Sequence, residues 1–302
     1  MTIMHSLFRE GGTITVDHDR CSCCGQCAAI CPADNLTLTA GQIEVQDSRF
    51  GCIACGHCMM ICPENCIKVT GRGLSPEDIV PQPSPQERAT PETLRALLLA
   101  RRSTRQFTAD EVDPHILNQI IEMAAMAPMA IPPWDVGCVT VCGRQRVGEV
   151  AAEIIAGYKG FLKIFRPWLL KGMRPFIGRA KYEQFVHFIR PLAETYVSAA
   201  EEGRDVLLWD APALLIFHHS AYTDVVDATI PCTYAMLAAE SLGLGSTMIG
   251  GASPILQRNR KLCDRLGIPK DNSPAIILIL GYPSTRFRNT VRRSFSSVKT
   301  VE

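Results

Sequence analysis

The sequence is short of net charge and of long apolar runs, and no secretory leader is expected. Formal charges sum to +1 over 302 residues, so nothing global favours a nucleic-acid partner. No stretch approaches the roughly 18 uninterrupted apolar residues of a membrane span. Met1-Thr2-Ile3-Met4-His5 leads to charged Arg9-Glu10 without the apolar centre of a secretory signal. A glycine-rich dinucleotide fingerprint is missing too. Gly243-x-Gly245 follows a helical pattern instead of a strand and lacks the third glycine at the right spacing, which excludes a Rossmann site. Composition is otherwise ordinary, with 47% apolar residues in a chain too long for one small domain.

Cysteine is the exception. Ten of the fourteen cysteines fall within the first 66 residues, and eight form one spacing written twice. Cys21, Cys24, Cys27 and Cys31 make C-x2-C-x2-C-x3-C closed by Pro32; Cys52, Cys55, Cys58 and Cys62 repeat it, closed by Pro63. A cubane iron–sulfur cluster needs four converging thiolates. In the two-cluster pattern a tight loop supplies three and the other run supplies the fourth. This assigns Cys21, Cys24, Cys27 and Cys62 to one [4Fe–4S] cluster, and Cys52, Cys55, Cys58 and Cys31 to the other. The alternatives are zinc, which normally takes paired CxxC units, or a disulfide framework. Eight ligands in register favour clusters, and a chain that carries electrons.

The two runs are an internal repeat of period 31: Cys-Gly-Gln-Cys at 24–27 answers Cys-Gly-His-Cys at 55–58. Between them, 36–38 and 42–45 alternate as short strands do. Cys23 and Cys66 lie outside the ligand spacing, and Cys66, in the place of Asn35, reads as a small packing residue. This segment, about residues 10–72, resembles the bacterial two-cluster ferredoxins. So small a module buries little apolar surface, and metal–ligand bonds must supply much of its folding energy. Exposed clusters and free thiols call for a reducing compartment, so a cytoplasmic location is expected. The expected organisation is a ferredoxin-like domain over 1–73, a proline-rich linker over 74–91 and a second domain over 92–302. Pro76, Pro81, Pro83, Pro85 and Pro91 stand among Ser, Gln and Glu in the linker, a spacer composition. Thr90 reads as an N-cap with Pro91 at the first helical position.

Beyond the linker the pattern predicts helices at 91–102 and 114–127, the latter with Ile116, Ile120, Met123 and Ala127 on one face. Strand 136–142 follows, then a helical start near 146, strand 212–218, helix 228–242, strand 245–249, a helix near 256–266 and strand 274–281. Interleaved elements of this kind predict layers around one central sheet. At the end of the first helix, Arg101-Arg102-Ser103-Thr104-Arg105-Gln106-Phe107 packs guanidinium forks and hydroxyls suited to phosphate oxygens. A basic helix end that offsets the macrodipole is the plainer reading. Adjacent Gly250-Gly251 after a strand would let backbone approach a planar ring, or simply make a turn.

Three more stretches complete an ordered set: Ala127–Trp134 between helix and strand, Asp210-Ala211-Pro212 opening a strand, and Leu237–Gly245 running into Ser246–Gly251. In that order, over about 92–298, they resemble the nitroreductase family of FMN-dependent oxidoreductases. With the first module in front, the chain resembles a ferredoxin–nitroreductase fusion. The resemblance implies an α+β chain: a 2[4Fe–4S] ferredoxin-like module, then an α/β/α layered FMN domain forming a homodimer with FMN at the interface. It implies that Arg101, Ser103 and Arg105, with Arg102 beside them, hold the ribityl phosphate. Arg293 is the expected C-terminal partner and Arg292 the second choice. Arg204 would sit at the pyrimidine side of the ring, Gly250 and Gly251 near N5. Pro132, Pro133 and Trp134 would reach the partner subunit's flavin.

Two departures stand out. The Ala127–Trp134 turn lacks the Asn and Gln often found there, and 157–203 is a large insertion-like segment. Within 159–190, eight basic residues face one acid, Glu183, with Phe161, Phe165, Trp168, Leu169, Phe176, Tyr182, Phe185 and Phe188 interleaved. The segment reads as a solvated face on packed helices, a lid over an anionic aromatic-binding pocket, a dock for an acidic electron donor, or a membrane-surface helix. His218 and His219 read as structural.

The function these features imply is an FMN-dependent reductase fed single electrons through its clusters, acting on a nitroaromatic, quinone or activated alkene. An external low-potential donor such as ferredoxin is expected, because the clusters would be superfluous if hydride entered the flavin directly. The alternatives are an electron-relay or redox-sensing protein acting on a protein partner, and a flavin dehydrogenase exporting electrons through its clusters.

Overall fold

A computed structural model describes residues 10–49, 51–129 and 135–301. The first module runs β1 (Thr13–Val16), α1 (Gln26–Ile30), β2 (Leu36–Thr39), β3 (Gln42–Val45), α2 (His57–Ile61) and β4 (Ile67–Thr70). β1 pairs antiparallel with β4, and β2 with β3 as a hairpin in which Leu36 opposes Val45. The sequence repeat is written into the backbone. Gly25 and Gly56, which precede α1 and α2, have φ of 74° and 75°, a left-handed conformation that glycine adopts without a Cβ penalty. Cys23 and Ala54 share φ 54°, and Asp34 and Asn65 follow at 50° and 48°. Each cysteine run therefore bends the same way at each step. Leu36, Ile43, Met59, Ile67 and Val69 form the small core with Cys27, Cys58 and Cys66. Leu74 and Ile79, which composition assigns to the linker, also pack against it. A single turn at Pro76–Asp78 brings them back, with the Ser75 N–H donating to Asp78 Oδ2 at 2.7 Å. The spacer begins later than its prolines suggest.

The second module opens with α3 (Pro91–Ala100) and α4 (Pro114–Ala125), followed by β5 (Val136–Cys142) and α5 (Arg144–Ile164). Thr90 caps α3 by accepting from the Thr93 N–H at 3.3 Å. Then come α6 (Pro167–Ile177), α7 (Arg179–Gln184), one π-helical turn at Phe185–Ile189 and α8 (Arg190–Glu201). The chain continues through β6 (Ala213–His219), α9 (Val225–Ser241), β7 (Gly245–Ile249), α10 (Ser253–Arg258), α11 (Arg260–Arg265) and β8 (Ser273–Gly281). The last four strands form one sheet in the order β5-β6-β8-β7, every neighbour antiparallel.

Alternation along the central strands builds the layers. Leu214 and Ile216 of β6 and Ile277 and Ile279 of β8 face α5, α8 and α10. Ala213, Leu215, Phe217, Leu278 and Leu280 face α4 and α9. Both faces are covered, so β6 and β8 read as near-continuous apolar runs, and each fully buried Leu or Ile contributes roughly 1.5–3 kcal/mol. Ala228, Ala235 and Ala239 let α9 lie close to the sheet. One face differs from expectation: α4 buries Leu117, Ile120 and Ala124, while Met123 is 38% exposed. Packing against α9 sets the rotation of α4, and isolated periodicity cannot. Among the described residues no helix is long and apolar enough to cross a membrane.

Candidate functional site

The first module holds two cavities. Cys31, Cys52, Cys55 and Cys58 line one; Cys21, Cys24, Cys27 and Cys62 line the other. The closing cysteine of each run thus stands at the cavity of the opposite run. Apolar neighbours wall them in: Ile14, Ile53 and Val69 at one, Ile43 and Ile67 at the other. Backbone N–H groups point at the sulfurs. Ala54 donates to Cys52 Sγ at 3.4 Å, Asn35 to Cys31 Sγ at 3.3 Å and Cys66 to Cys62 Sγ at 3.4 Å. Such bonds favour thiolate and tune a bound cluster.

The donor chemistry fits an iron–sulfur core. Burial, and then the neighbouring sulfurs of Cys52 and Cys55, push the Cys58 thiol up to about 12. Four thiolates so placed need a multiply charged cationic core between them. At Cys62 burial acts upward, but hydrogen bonds from Cys66, Glu64 and Ile67 outweigh it and hold the thiol below its ordinary value.

In the second module the segment after α3 runs beside β7. Ser103 bridges Ser246 in parallel, the Thr104 N–H donates to the Ser246 carbonyl at 3.0 Å, and the Thr247 hydroxyl donates to the Thr104 carbonyl at 2.5 Å. The fit is close: a Cβ on Gly245 would lie 2.5 Å from Thr104 Cγ2. Side chains alternate along an extended segment. Thr104 is therefore buried while Ser103 and Arg105 are exposed. Arg102 and Thr104 line a separate cavity with Glu240 and Gly245.

The C-terminal tail folds back onto α3, with the Thr290 hydroxyl donating to the Leu99 carbonyl at 3.0 Å. That return brings Arg293 to Arg101. Burial first, then the charges of Arg293 and Arg102, hold the Arg101 guanidinium below its usual range, with Glu240 opposing them. Crowded guanidinium groups of this kind suit an anion. Arg292 is exposed.

Arg105 lies elsewhere, its guanidinium 5.7 Å from the centre of the Trp209 ring. Trp209 and Asp210 have φ of 61° and 48°, a costly conformation for a bulky residue. The Asp205 carboxylate holds this turn by accepting from Leu207, Leu208 and Asp210 N–H groups at 2.9, 2.8 and 3.1 Å. Nearby, the Tyr158 hydroxyl donates to the Gly251 carbonyl at 2.5 Å, and the Tyr196 ring packs at a tilt of 58° against Tyr158, 5.4 Å between ring centres. A Cβ on Gly251 would stand 3.3 Å from the Tyr158 hydroxyl, whereas Gly250 has only Ile276 within reach. Burial raises both tyrosines above their ordinary range, so they remain hydrogen-bond donors at neutral pH. Tyr158, Tyr196 and Trp209 had no local signal in the sequence; only the return of β7 towards α5 and α8 unites them.

Arg204 does not join either group. It pairs with Glu202 and lines a further cavity against α5, with Lys159 and Asp205. Pro132, Pro133 and Trp134 lie outside the described residues. His218 is structural: Asn272 Nδ2 stands 2.9 Å from its Nδ1, and it is buried against Gly137. In the 157–203 segment, Phe161, Phe165 and Phe185 pack together, with Phe161 and Phe165 4.8 Å apart. Lys159 pairs with Glu201 at 3.0 Å, while Trp168, Phe176 and Phe188 are exposed.

Fold and site define a two-part chain, a cysteine-lined module ahead of a three-layer domain with an anion-ready edge. Residues 98–282 match the model of the nitroreductase family, and the chain belongs to that family. Residues 13–63 match a 4Fe-4S dicluster domain. The "FMN reductase [NAD(P)H]" of Bacillus subtilis (strain 168) is 29% identical over 189 residues, covering 63% of this chain and 65% of that protein. The chain thus spans less than two thirds of that relative's length. A nitroreductase with bound FMN from Bacteroides fragilis superposes with a TM-score of 0.52 at 19% identity, over 69% of this chain and 98% of its own. One from Desulfitobacterium hafniense, also with bound FMN, gives 0.50 at 22%, over 71% and 100%. These likenesses show the fold.

Proposed function

We propose that this chain is an FMN-dependent oxidoreductase that takes in electrons singly through two [4Fe–4S] clusters and reduces a small organic acceptor of the nitroaromatic, quinone or activated-alkene class. One observation carries the reading: two cavities, each ringed by four cysteines, precede a nitroreductase-family domain in a single chain. When bound, the clusters supply one-electron carriage and FMN supplies hydride chemistry at its ring.

The chain's own residues bind and orient these groups. Cys21, Cys24, Cys27 and Cys62 hold one cluster; Cys52, Cys55, Cys58 and Cys31 hold the other. Arg101, Ser103 and Arg293 bind the FMN phosphate, since guanidinium forks and a hydroxyl suit its oxygens. Arg105, Tyr196 and the Gly250–Gly251 backbone flank the ring. The Tyr158 hydroxyl fixes the Gly251 carbonyl. A homodimer completes the pocket, as the family resemblance implies.

Taking a nitro group to nitroso consumes two electrons and two protons and releases water. The donor must therefore deliver two electrons per turnover, and a reduced low-potential ferredoxin fits the clusters. The name of the Bacillus relative favours a second reading, with NAD(P)H as donor. Anaerobic stopped-flow mixing with each donor separates them. Reduced ferredoxin should bleach cluster and flavin absorption in sequence, and a variant lacking both clusters should lose ferredoxin-driven nitro reduction. Catalytic-rate flavin reduction by NAD(P)H, retained without clusters, would refute the cluster-fed reading.

A further inference from the structure

A fifth thiol stands at one of the two cysteine cavities. Cys66 is 3% exposed, lines the cavity of Cys21, Cys24, Cys27 and Cys62, and has its Sγ 3.4 Å from Cys62 Sγ. Its backbone N–H points at the same sulfur, also at 3.4 Å. More than packing is at work here. The repeat supplies an internal control, because Asn35 occupies the equivalent position in the other half. Its N–H reaches Cys31 Sγ at 3.3 Å, but its side-chain oxygen accepts from the Ser48 hydroxyl at 2.9 Å. One closing cysteine thus receives a backbone donor alone, and the other receives a backbone donor and a thiol.

A cysteine bound to iron is a thiolate with no proton to give, so in the contact between Cys62 and Cys66 the donor is Cys66. Hydrogen bonds to ligand sulfurs withdraw charge and favour the more negative, reduced cluster. We propose that Cys66 is a tuning residue, not a ligand, that makes the two clusters unequal, giving the one held by Cys21, Cys24, Cys27 and Cys62 the less negative potential. Electrons entering the module then settle first on that cluster. The inference rests on the two-cluster reading above.

The test uses the full chain reconstituted under nitrogen, with iron and sulfide assays and a redox titration followed by electron paramagnetic resonance. Cys66→Ala should keep about eight irons and move one of the two one-electron steps to more negative potential, leaving the other in place. The expected shift is on the order of tenfold in the reduction equilibrium, about 59 mV for one electron. Asn35→Cys should move the other step the opposite way, and it carries the test alone if Cys66→Ala fails to load. Full iron with both steps unmoved, or Asn35→Cys leaving its step unmoved, overturns the proposal. Loss of about four irons from Cys66→Ala alone would make Cys66 a ligand and overturn it equally. A wild-type chain with about four irons, or with stoichiometric zinc, would instead end the two-cluster reading itself.

Discussion

Arg101 and Arg293 are the sharpest place to perturb the flavin domain. They are like charges drawn together by the returning tail, and burial plus that repulsion hold Arg101 below its ordinary range. A phosphate between them turns repulsion into two charge-assisted contacts, each worth roughly 1.5–3 kcal/mol. Arg101→Ala or Arg293→Ala should therefore weaken FMN about 10- to 150-fold. Both groups would serve one anion, so the double variant should deviate from additivity, by about 0.5–3 kcal/mol. The flavin-free protein should respond with the opposite sign, each single variant melting no lower than wild type because a repulsion has been removed. Equilibrium titration by quenching of flavin fluorescence, with riboflavin as control, reads the effect. Riboflavin lacks the phosphate and should bind wild type and both variants alike. Arg102→Ala should do much less, since Arg102 lines a separate cavity with Thr104 and Gly245. Arg105→Ala should weaken FMN and riboflavin together, because Arg105 lies by Trp209, away from Arg101. Full FMN affinity in Arg101→Ala, or equal loss of riboflavin, would show this cluster to be only a helix end.

The protein should carry about eight irons and eight acid-labile sulfides per chain; four irons by elemental assay would contradict the two cavities. Cys31→Ser should damage the cluster at 52–58 and spare the one at 21–27, and spectroscopic loss at 21–27 alone would mean that the ligands do not cross. His218 should make the second domain acid-sensitive. Burial, with His219 nearby, lowers it from 6.5 to about 4, so above pH 6.5 it is neutral in both states and adds no slope. As pH falls from 6.5 to 4 the unfolded chain takes up the proton and the native chain does not, so stability declines by about 3 kcal/mol at most. Denaturant unfolding at pH 7.5 and 4.5 should show this loss in wild type and a smaller one in His218→Gln; equal losses would refute the assignment.

The chain's local chemistry was legible from its residues. Ligand spacing in the two cysteine runs is a property of a few consecutive residues, so it already indicated two four-thiol sites with crossed closing positions. Strand 136–142 and strand 245–249 were equally readable, because β-branched and apolar runs bounded by Gly and Pro leave little alternative. The cap at Thr90 followed from one hydroxyl and one proline. Direction and return were another matter. Periodicity put Met123 on the buried face of α4, but α9 decided the rotation and buried Leu117. Composition placed Leu74 and Ile79 in the linker, and one turn at 76–78 returned them to the first core. Arg292 and Arg293 are equally basic neighbours, and only the fold-back of the tail onto Leu99 chose Arg293 to face Arg101. The spacing groups Arg105 with Arg101, yet the fold sets its guanidinium over Trp209, a contact no local pattern announces. Cys66 looked like a small packing residue until the fold set its sulfur against Cys62. In each case the deciding contact joins residues distant in sequence or depends on which way a side chain points, and that is settled by packing, which no local spacing encodes.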